Sequence, residues 1–429
     1  MKSFRCVTFG CRVNQYETQA IREQLLSHGY QEVSKDTVPD FVVINSCTVT
    51  EAADKECLQT MRSLYKTDPA TKIVVMGCLV QRDAQRLKQI PGVRLLVGNG
   101  QKHRLPEFLE KISQWEMEPV VETQINQVYT PLKISSFQAR SKAFLKVQDG
   151  CDRACAFCKI PLVRGRSRSR PLPDLLLEVE RLRDNGFREI VLTGVALGLW
   201  GREWDPPQDC AQLIRAVDGI PGRFRIRLSS LDPRDVDDHF MTALAHSTKV
   251  CHHLHLSLQS GSDPILRRMN RGYTTQEYRR IIEKVRKFWP DCGLTTDLIV
   301  GFPGETEERF LETLEFCRQM QFAKVHLFSY SSRGGTSASF FKDKVNPACI
   351  KQRSRRARKA MEESAHEIRK RFLGTTQQVL VEESLSGYTS QFIQVQFPAA
   401  PELVGSLVNV SMTAAGPKGL VGQFSSKCS

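Results

Sequence analysis

The chain has 429 residues, of which 41% are hydrophobic and 25% charged, and a net charge of +14. That length supports two or three domains with their own cores, and no apolar run approaches the ~18 residues a bilayer span requires. The opening segment MKSFRCVTF reads as a strand and not as a signal peptide, so a cytoplasmic protein is expected. Fourteen cysteines in that setting point to metal or redox chemistry more than to disulfides. The excess of 61 Lys+Arg over 47 Asp+Glu favours a polyanionic partner, nucleic acid first.

The first ~115 residues alternate strand and helix signals. Residues 4–9 are strand-like, and a helical pattern over 15–28 stops at Gly29. Apolar runs at 41–45 and 72–76 are each followed by a helical pattern, at 51–65 and 81–89. This rhythm predicts a small doubly wound parallel sheet. Cys11, Cys47 and Cys78 each fall one or two residues past a predicted strand. In a parallel sheet those strand ends share the edge where ligands bind, and Gly10 and Gly77 permit tight turns there. Three converging thiolates suit an iron–sulfur cluster with one iron left open.

Residues 114–138, with scattered polar residues and Pro119 and Pro131, read as a linker or a loose hairpin. From 142 to about 372 the alternation returns at longer spacing. Strands are predicted at 143–147, 189–193, 224–229, 253–258, 294–300 and 324–330, each followed by a helix. Six such units fit an open, partial barrel, with reactive groups at the C-terminal strand ends. Just past the first strand lie Cys151, Cys155 and Cys158, spaced C-x3-C-x2-C with no fourth cysteine close by. A structural zinc site wants four ligands. Three thiolates suit a cubane cluster whose open iron chelates a small molecule. His253 and His255 alternate along a strand and read as interior groups, not ligands.

Basic residues concentrate in RGRSRSR at 164–170 and KQRSRRARK at 351–359, the second on a long predicted helix. Both are candidate phosphate contacts. The last ~57 residues carry β-like runs at 377–382, 391–396 and 406–412 separated by turns. They predict a small β-barrel of the kind that binds oligonucleotides. Cys6, Cys57, Cys210, Cys251, Cys292, Cys317, Cys349 and Cys428 show no ligand spacing and read as free thiols that pack.

Several segments together resemble the radical S-adenosylmethionine methylthiotransferases. They are GCRVNQYE at 10–17, NSCTVT at 45–50, Gly77 and Cys78, the triad at 151–158, LQSGS at 258–262 and DLIVGFPGE at 297–305. The resemblance covers the whole chain. It implies an N-terminal methylthiotransferase domain over 1–115, a linker over 116–136, a radical core over 137–371 and a TRAM RNA-binding domain over 372–429. It implies S-adenosylmethionine and two [4Fe–4S] clusters, one held by Cys11, Cys47 and Cys78 and one by Cys151, Cys155 and Cys158. Within the family, GCRVNQYE and TGVALG at 193–198 are similar to the group that acts on threonylcarbamoyladenosine at position 37 of tRNA. Isopentenyladenosine in tRNA and an aspartate of a ribosomal protein are the alternative substrates. The implied partners are the tRNA anticodon stem-loop, held by the C-terminal barrel, and a small electron-donor protein such as flavodoxin or ferredoxin.

On this resemblance Gly194 and Val195 meet the methionine amino group. Arg227, Ser229, Gln259 and Ser260 contact its carboxylate or the ribose, and residues 301–304 shape the adenine pocket. Arg333-Gly-Gly-Thr336 stands where the family commonly has Arg-Pro-Gly-Thr, which frees the turn.

Overall fold

A computed structural model describes residues 2–427 apart from 49, 113–119, 131 and 138–140. Pro119, Pro131 and Cys428 therefore lie outside the described residues.

The first unit is a six-stranded sheet built from β1 (Ser3–Thr8), β2 (Gln31–Glu32), β3 (Phe41–Ser46), β4 (Lys72–Gly77), β5 (Val93–Val97) and β6 (Val120–Glu122). Its helices are α1 (Arg12–Ser27), α2 (Glu51–Thr67), α3 (Cys78–Lys88) and α4 (Leu105–Ile112). All neighbours are parallel, in the order β2-β1-β3-β4-β5-β6. Every residue of β3 is buried, as a strand covered by helices on both faces requires. The strand order reverses between β1 and β3, and such a switch point opens a crevice at the C-terminal strand ends.

The stretch expected as a loose linker is packed instead. Val120 and Val121 extend the sheet as β6, pairing with Leu95 and Leu96. Leu132, Ile134 and Phe137 are buried in the core shared with the next unit. Isolated apolar residues among polar ones gave no periodic signal there.

The second unit uses β7 (Ala143–Asp149), β8 (Arg168–Ser169), β9 (Glu189–Gly194), β10 (Arg225–Leu228), β11 (His253–His255), β12 (Gly293–Val300) and β13 (Lys324–Ser329). Its helices are α5 (Ile160–Arg164), α6 (Leu172–Asp184), α7 (Cys210–Asp218), α8 (Asp238–His246), α9 (Asp263–Arg268), α10 (Thr275–Phe288), α11 (Glu307–Met320) and α12 (Pro347–Lys370). Strands β7, β9 and β10 pair in parallel, as do β11, β12 and β13. Bridges from Ile226 to Val250 and from Leu231 to Leu256 join the two sets. The six predicted strands thus form one curved, open barrel, and β8 adds a short antiparallel partner to β7.

The C-terminal unit is a closed barrel of β14 (Thr376–Glu383), β15 (Ser386–Thr389), β16 (Gln394–Gln396), β17 (Leu407–Ala415) and β18 (Leu420–Lys427). Closure removes the sheet edges. Its β14–β16 face docks on the N-terminal ends of the partial-barrel strands. Arg225 donates to the Tyr388 carbonyl at 2.9 Å, and Arg227 to those of Ser390 at 2.9 Å and Thr389 at 3.1 Å.

Candidate functional site: two cysteine triads at one junction

Cys11 follows β1 and precedes α1, Cys47 follows β3, and Cys78 opens α3 directly after β4. All three stand at the C-terminal sheet edge beside the switch point. Gly10 has φ +95°, and a Cβ there would meet Cys47 Cβ at 2.4 Å and Sγ at 2.5 Å. The backbone before one cysteine is therefore the seat of another. Gly77, at φ +105°, packs equally close to the Ser46 carbonyl. Asn99 donates to Cys78 Sγ at 3.5 Å.

The second triad follows β7. The Cys151 amide donates to the Gly165 carbonyl at 3.0 Å, and that of Cys158 to the Cys155 carbonyl at 3.0 Å, which folds the segment into a tight loop. Arg271 Nη1 donates to Cys155 Sγ at 3.2 Å and the Arg153 amide to Cys151 Sγ at 3.4 Å. All three cysteines line one cavity of about 160 Å³, together with Val195, Ser230, Asp232, Gln259 and Arg271. Gln259 holds φ +72°, a left-handed conformation rare outside glycine, at the end of the strand region over this cavity.

A second cavity, of about 90 Å³, is lined by one cysteine of each triad. Cys78 and Thr48 line it from the sheet unit, and Cys158, Phe157 and Arg333 from the partial barrel. Arg333 Nη1 donates to Asp54 Oδ2 at 2.8 Å and Nη2 to the Thr48 carbonyl at 2.9 Å. The Thr336 hydroxyl closes the turn onto the Arg333 carbonyl at 2.7 Å. The turn that lacks the family's proline is thus fixed by its threonine and by the Arg333 clamp.

Behind the triads lies a buried charge cluster. Glu17, 1% exposed, accepts from Lys102 at 2.5 Å, Lys146 at 2.7 Å and Arg164 at 3.0 Å. Asp149 accepts from Lys146 at 2.7 Å and Arg164 at 2.8 Å, with Arg168 at 3.6 Å. Burial alone would raise the Glu17 carboxyl, but Arg164, Lys102 and Lys146 outweigh it and hold it well below the usual range. Four buried cations face two carboxylates. Uncompensated buried charge is costly. Arg164 lies within electrostatic reach of the Cys11 and Cys78 sulfurs, and Lys102 of Cys78. An anionic, thiolate-ligated group held at those positions would supply the missing negative charge, so the residues present fit one. Among the described residues no three of His, Cys, Asp or Glu close around a single ion.

The expected phosphate contacts at 164–170 are corrected by this network. Arg164 and Arg168 are buried in the charge cluster, and Arg170 is buried against Glu178 at 2.8 Å and the Tyr16 hydroxyl at 3.1 Å. Only Arg166, with 88% of its side chain exposed, faces solvent. Along the second run, Arg353 is buried on Glu305, whereas Arg355, Arg358 and Lys359 are exposed on α12.

Of the expected small-molecule contacts, Val195 and Gln259 line the cavity beside Cys151–Cys158. The Gly194 amide donates to Ser229 Oγ at 3.3 Å, outside that lining. Ser260 is buried against Thr313, and Arg227 is held by Glu189 and the C-terminal barrel. The partners of Arg227 lie toward the N-terminal strand ends, and it does not line the cavity beside Cys151–Cys158. Arg153, Ser230, Asp232 and Arg271 were missed. Asp232 gathers Arg271 at 2.9 Å and Arg153 at 3.5 Å from distant segments, which no local spacing announces. His253 and His255 both bond Thr295 Oγ1 at 2.9 Å inside the barrel.

A doubly wound unit, a partial barrel with its triad at the strand tips, and a small closed barrel define a radical S-adenosylmethionine enzyme. Residues 145–317 match the Radical SAM superfamily, and residues 3–98 match the uncharacterized protein family UPF0004. Over 98% of both chains, the sequence is 39% identical to the threonylcarbamoyladenosine tRNA methylthiotransferase MtaB of Chlamydia pneumoniae. It is 34% identical to the tRNA-2-methylthio-N(6)-dimethylallyladenosine synthase of Aquifex aeolicus, over 99% of this chain and 98% of that one. The radical S-adenosylmethionine methyltransferase TsrM of Kitasatospora setae shares the fold, with TM-score 0.57 at 15% identity over 76% of this chain and 75% of that one. The chain belongs to the methylthiotransferase family of radical S-adenosylmethionine enzymes. Membership carries S-adenosylmethionine and a [4Fe–4S] cluster as cofactors. No helix among the described residues is long and apolar enough to cross a membrane.

Proposed function

We propose that this enzyme adds a methylthio group to N6-threonylcarbamoyladenosine at position 37 of tRNA, using a second [4Fe–4S] cluster besides the radical one. The observation that supports this reading is the cavity lined by Cys78 from the sheet unit and Cys158 from the partial barrel, one cysteine of each triad. Cys151, Cys155 and Cys158 would hold the radical cluster, and Cys11, Cys47 and Cys78 the auxiliary one. Together with S-adenosylmethionine these groups supply a carbon-centred radical and the sulfur and methyl group to be transferred.

The chain's own residues bind and orient. Arg271 and Arg153 donate toward the sulfurs of Cys155 and Cys151, which tunes a cluster's potential. Val195, Ser230, Asp232 and Gln259 line the space where S-adenosylmethionine would lie. Arg333 fixes the Cys47 loop against the barrel. Arg166 and the exposed α12 cations are suited to tRNA phosphates. The work divides among a cluster-bearing unit over 1–115, a radical core over 137–371 and an RNA-holding TRAM barrel over 372–429. A small electron donor such as flavodoxin or ferredoxin would serve it in the cytoplasm.

Relatives named for threonylcarbamoyladenosine reach 39% and 35% identity and support this substrate. Relatives at 33–34% named for dimethylallyladenosine support the second reading, the isopentenyl base. Mass spectrometry of tRNA nucleosides from a strain lacking the gene separates them. The expected result is loss of 2-methylthio-N6-threonylcarbamoyladenosine. Retention of that nucleoside with loss of its isopentenyl counterpart would refute the substrate assignment.

A further inference from the structure

The interior of the partial barrel holds a cation that aromatic rings cover but that no described residue pairs. Arg12, the residue after Cys11, points inward. Its guanidinium lies 5.8 Å from the Phe144 ring on β7 and 5.9 Å from the Phe392 ring of the C-terminal barrel. Among the described residues it makes no hydrogen bond or ion pair. Aromatic contacts cover a guanidinium's face and leave its in-plane N–H donors free.

The carboxylates within electrostatic reach are Glu189, Glu382 and Asp297. Two of them are already engaged: Glu189 accepts from Arg225 at 2.7 Å and Arg227 at 2.9 Å, and Glu382 from Lys142 at 2.5 Å. Asp297 makes no ion pair with Arg12 and lies 3.2 Å from His255 Nε2. The remaining groups facing Arg12 are basic: Arg227, His253, Lys324 and His326. A half-buried guanidinium set among cations and left without an anion is unfavourable unless a ligand brings one.

A groove lies next to these groups. Lys324, His326 and Phe392 also line a space of about 510 Å³ between β13, α12 and the C-terminal barrel. Strand β13 is the open edge of the partial barrel, so basic and aromatic groups border that edge.

We propose that Arg12 is a specificity residue that pairs with the carboxylate of the threonylcarbamoyl group on the substrate base. This rests on the substrate reading above. Threonylcarbamoyl carries an amino-acid carboxylate, and a guanidinium fork accepts one through two parallel hydrogen bonds. The isopentenyl group carries no anion, and binding it would leave the Arg12 donors unsatisfied in a partly dry site. Sites built to pair a polar group reject analogues lacking it far better than apolar pockets reject size variants. Cys11 caps α1 and Arg12 is its first residue, so the triad assigned to deliver sulfur and the group that reads the base share one helix start.

The test uses cluster-loaded enzyme and three anticodon stem-loop RNAs. They carry threonylcarbamoyladenosine, its neutral carboxamide and isopentenyladenosine at position 37. The wild type is expected to methylthiolate the carboxylate form about 10- to 100-fold more efficiently than the carboxamide. Arg12→Gln should bring that ratio near one, and Arg12→Lys should keep most of it. Because the ratio is taken within each variant, a general loss of folding does not imitate the result. A wild type indifferent to the carboxylate, or an Arg12→Gln enzyme that still prefers it, would overturn the proposal. If Arg12→Gln is inactive on every RNA, the wild-type ratio and the Arg12→Lys ratio decide. Modification of the isopentenyl RNA alone by the wild type would instead reject the substrate reading itself.

Discussion

Arg333 donates through Nη2 to the Thr48 carbonyl at 2.9 Å, tying the loop after the last barrel strand to the residue that follows Cys47. The same guanidinium holds Asp54, which Arg82 also engages. Both Arg333 and Asp54 are buried, so removing the cation leaves a carboxylate with one partner. Arg333→Ala should lower stability by about 2 kcal/mol and reduce sulfur insertion more than S-adenosylmethionine cleavage. Denaturant midpoints and the ratio of methylthiolated product to 5′-deoxyadenosine measure the two effects. Equal loss of both activities would contradict the clamp.

The two triads should separate by mutation. Cys47→Ala is expected to preserve reductive cleavage of S-adenosylmethionine and abolish methylthiolation, with iron content falling from roughly eight to roughly four per chain. Cys155→Ala should stop both activities. Iron assay and product analysis after anaerobic reconstitution check this, and an unchanged iron content in Cys47→Ala would count against a second cluster.

Arg164 and Arg166 are two residues apart and should behave differently. Arg164→Ala strips Glu17 and Asp149 of a shared buried partner, at a cost of about 3–5 kcal/mol. Arg166→Ala removes an exposed side chain and should shift stability by less than about 0.5 kcal/mol. Thermal melts of the two variants distinguish them.

Acid should weaken the seat of the C-terminal barrel. Burial would raise the Glu189 carboxyl, but Arg227 and Arg225 overcome it and hold it well below the ordinary range. A depressed folded-state pKa gives stability that is complete above the unfolded value of about 4.3. That stability is lost as pH falls through the folded value. Urea midpoints should therefore drop below about pH 4. In Glu189→Gln the starting stability should be lower and the drop on acidification shallower; an identical slope in wild type and variant would exclude this contribution.

The exposed face of α12 should set part of the salt dependence of RNA binding. Replacing Arg355, Arg358 and Lys359 with glutamine removes three candidate phosphate contacts. The slope of log affinity against log salt should become shallower by about 2–3 units, with the melting temperature little changed. An unaltered slope would place the RNA elsewhere.

The strand–helix rhythm showed the doubly wound unit and the partial barrel because buried parallel strands are short apolar runs set between amphipathic helices. The placement of the cysteines past strand ends was legible for a related reason, because such positions carry topological meaning before any coordinate is known. The arginines at 164–170 were misread because exposure is not local. Arg164 finds Glu17 across 147 residues of sequence, and no charge pattern near it announces that carboxylate. Arg227 lies on the strand where it was expected, yet its partners sit at the N-terminal strand ends. Strands β15 and β18 escaped because SGYT is short and LVGQFSSK carries a glycine and two serines, which give weak alternation that barrel closure nevertheless satisfies.

At Gly10 the seat of the Cys47 side chain depends on the lack of a methyl group. Any replacement would force that side chain aside and would ask an L-residue to hold φ +95°. If Cys11, Cys47 and Cys78 hold the proposed auxiliary cluster, a one-carbon change on the peptide chain would be read out first as altered iron content and colour, before any visible unfolding of the loop.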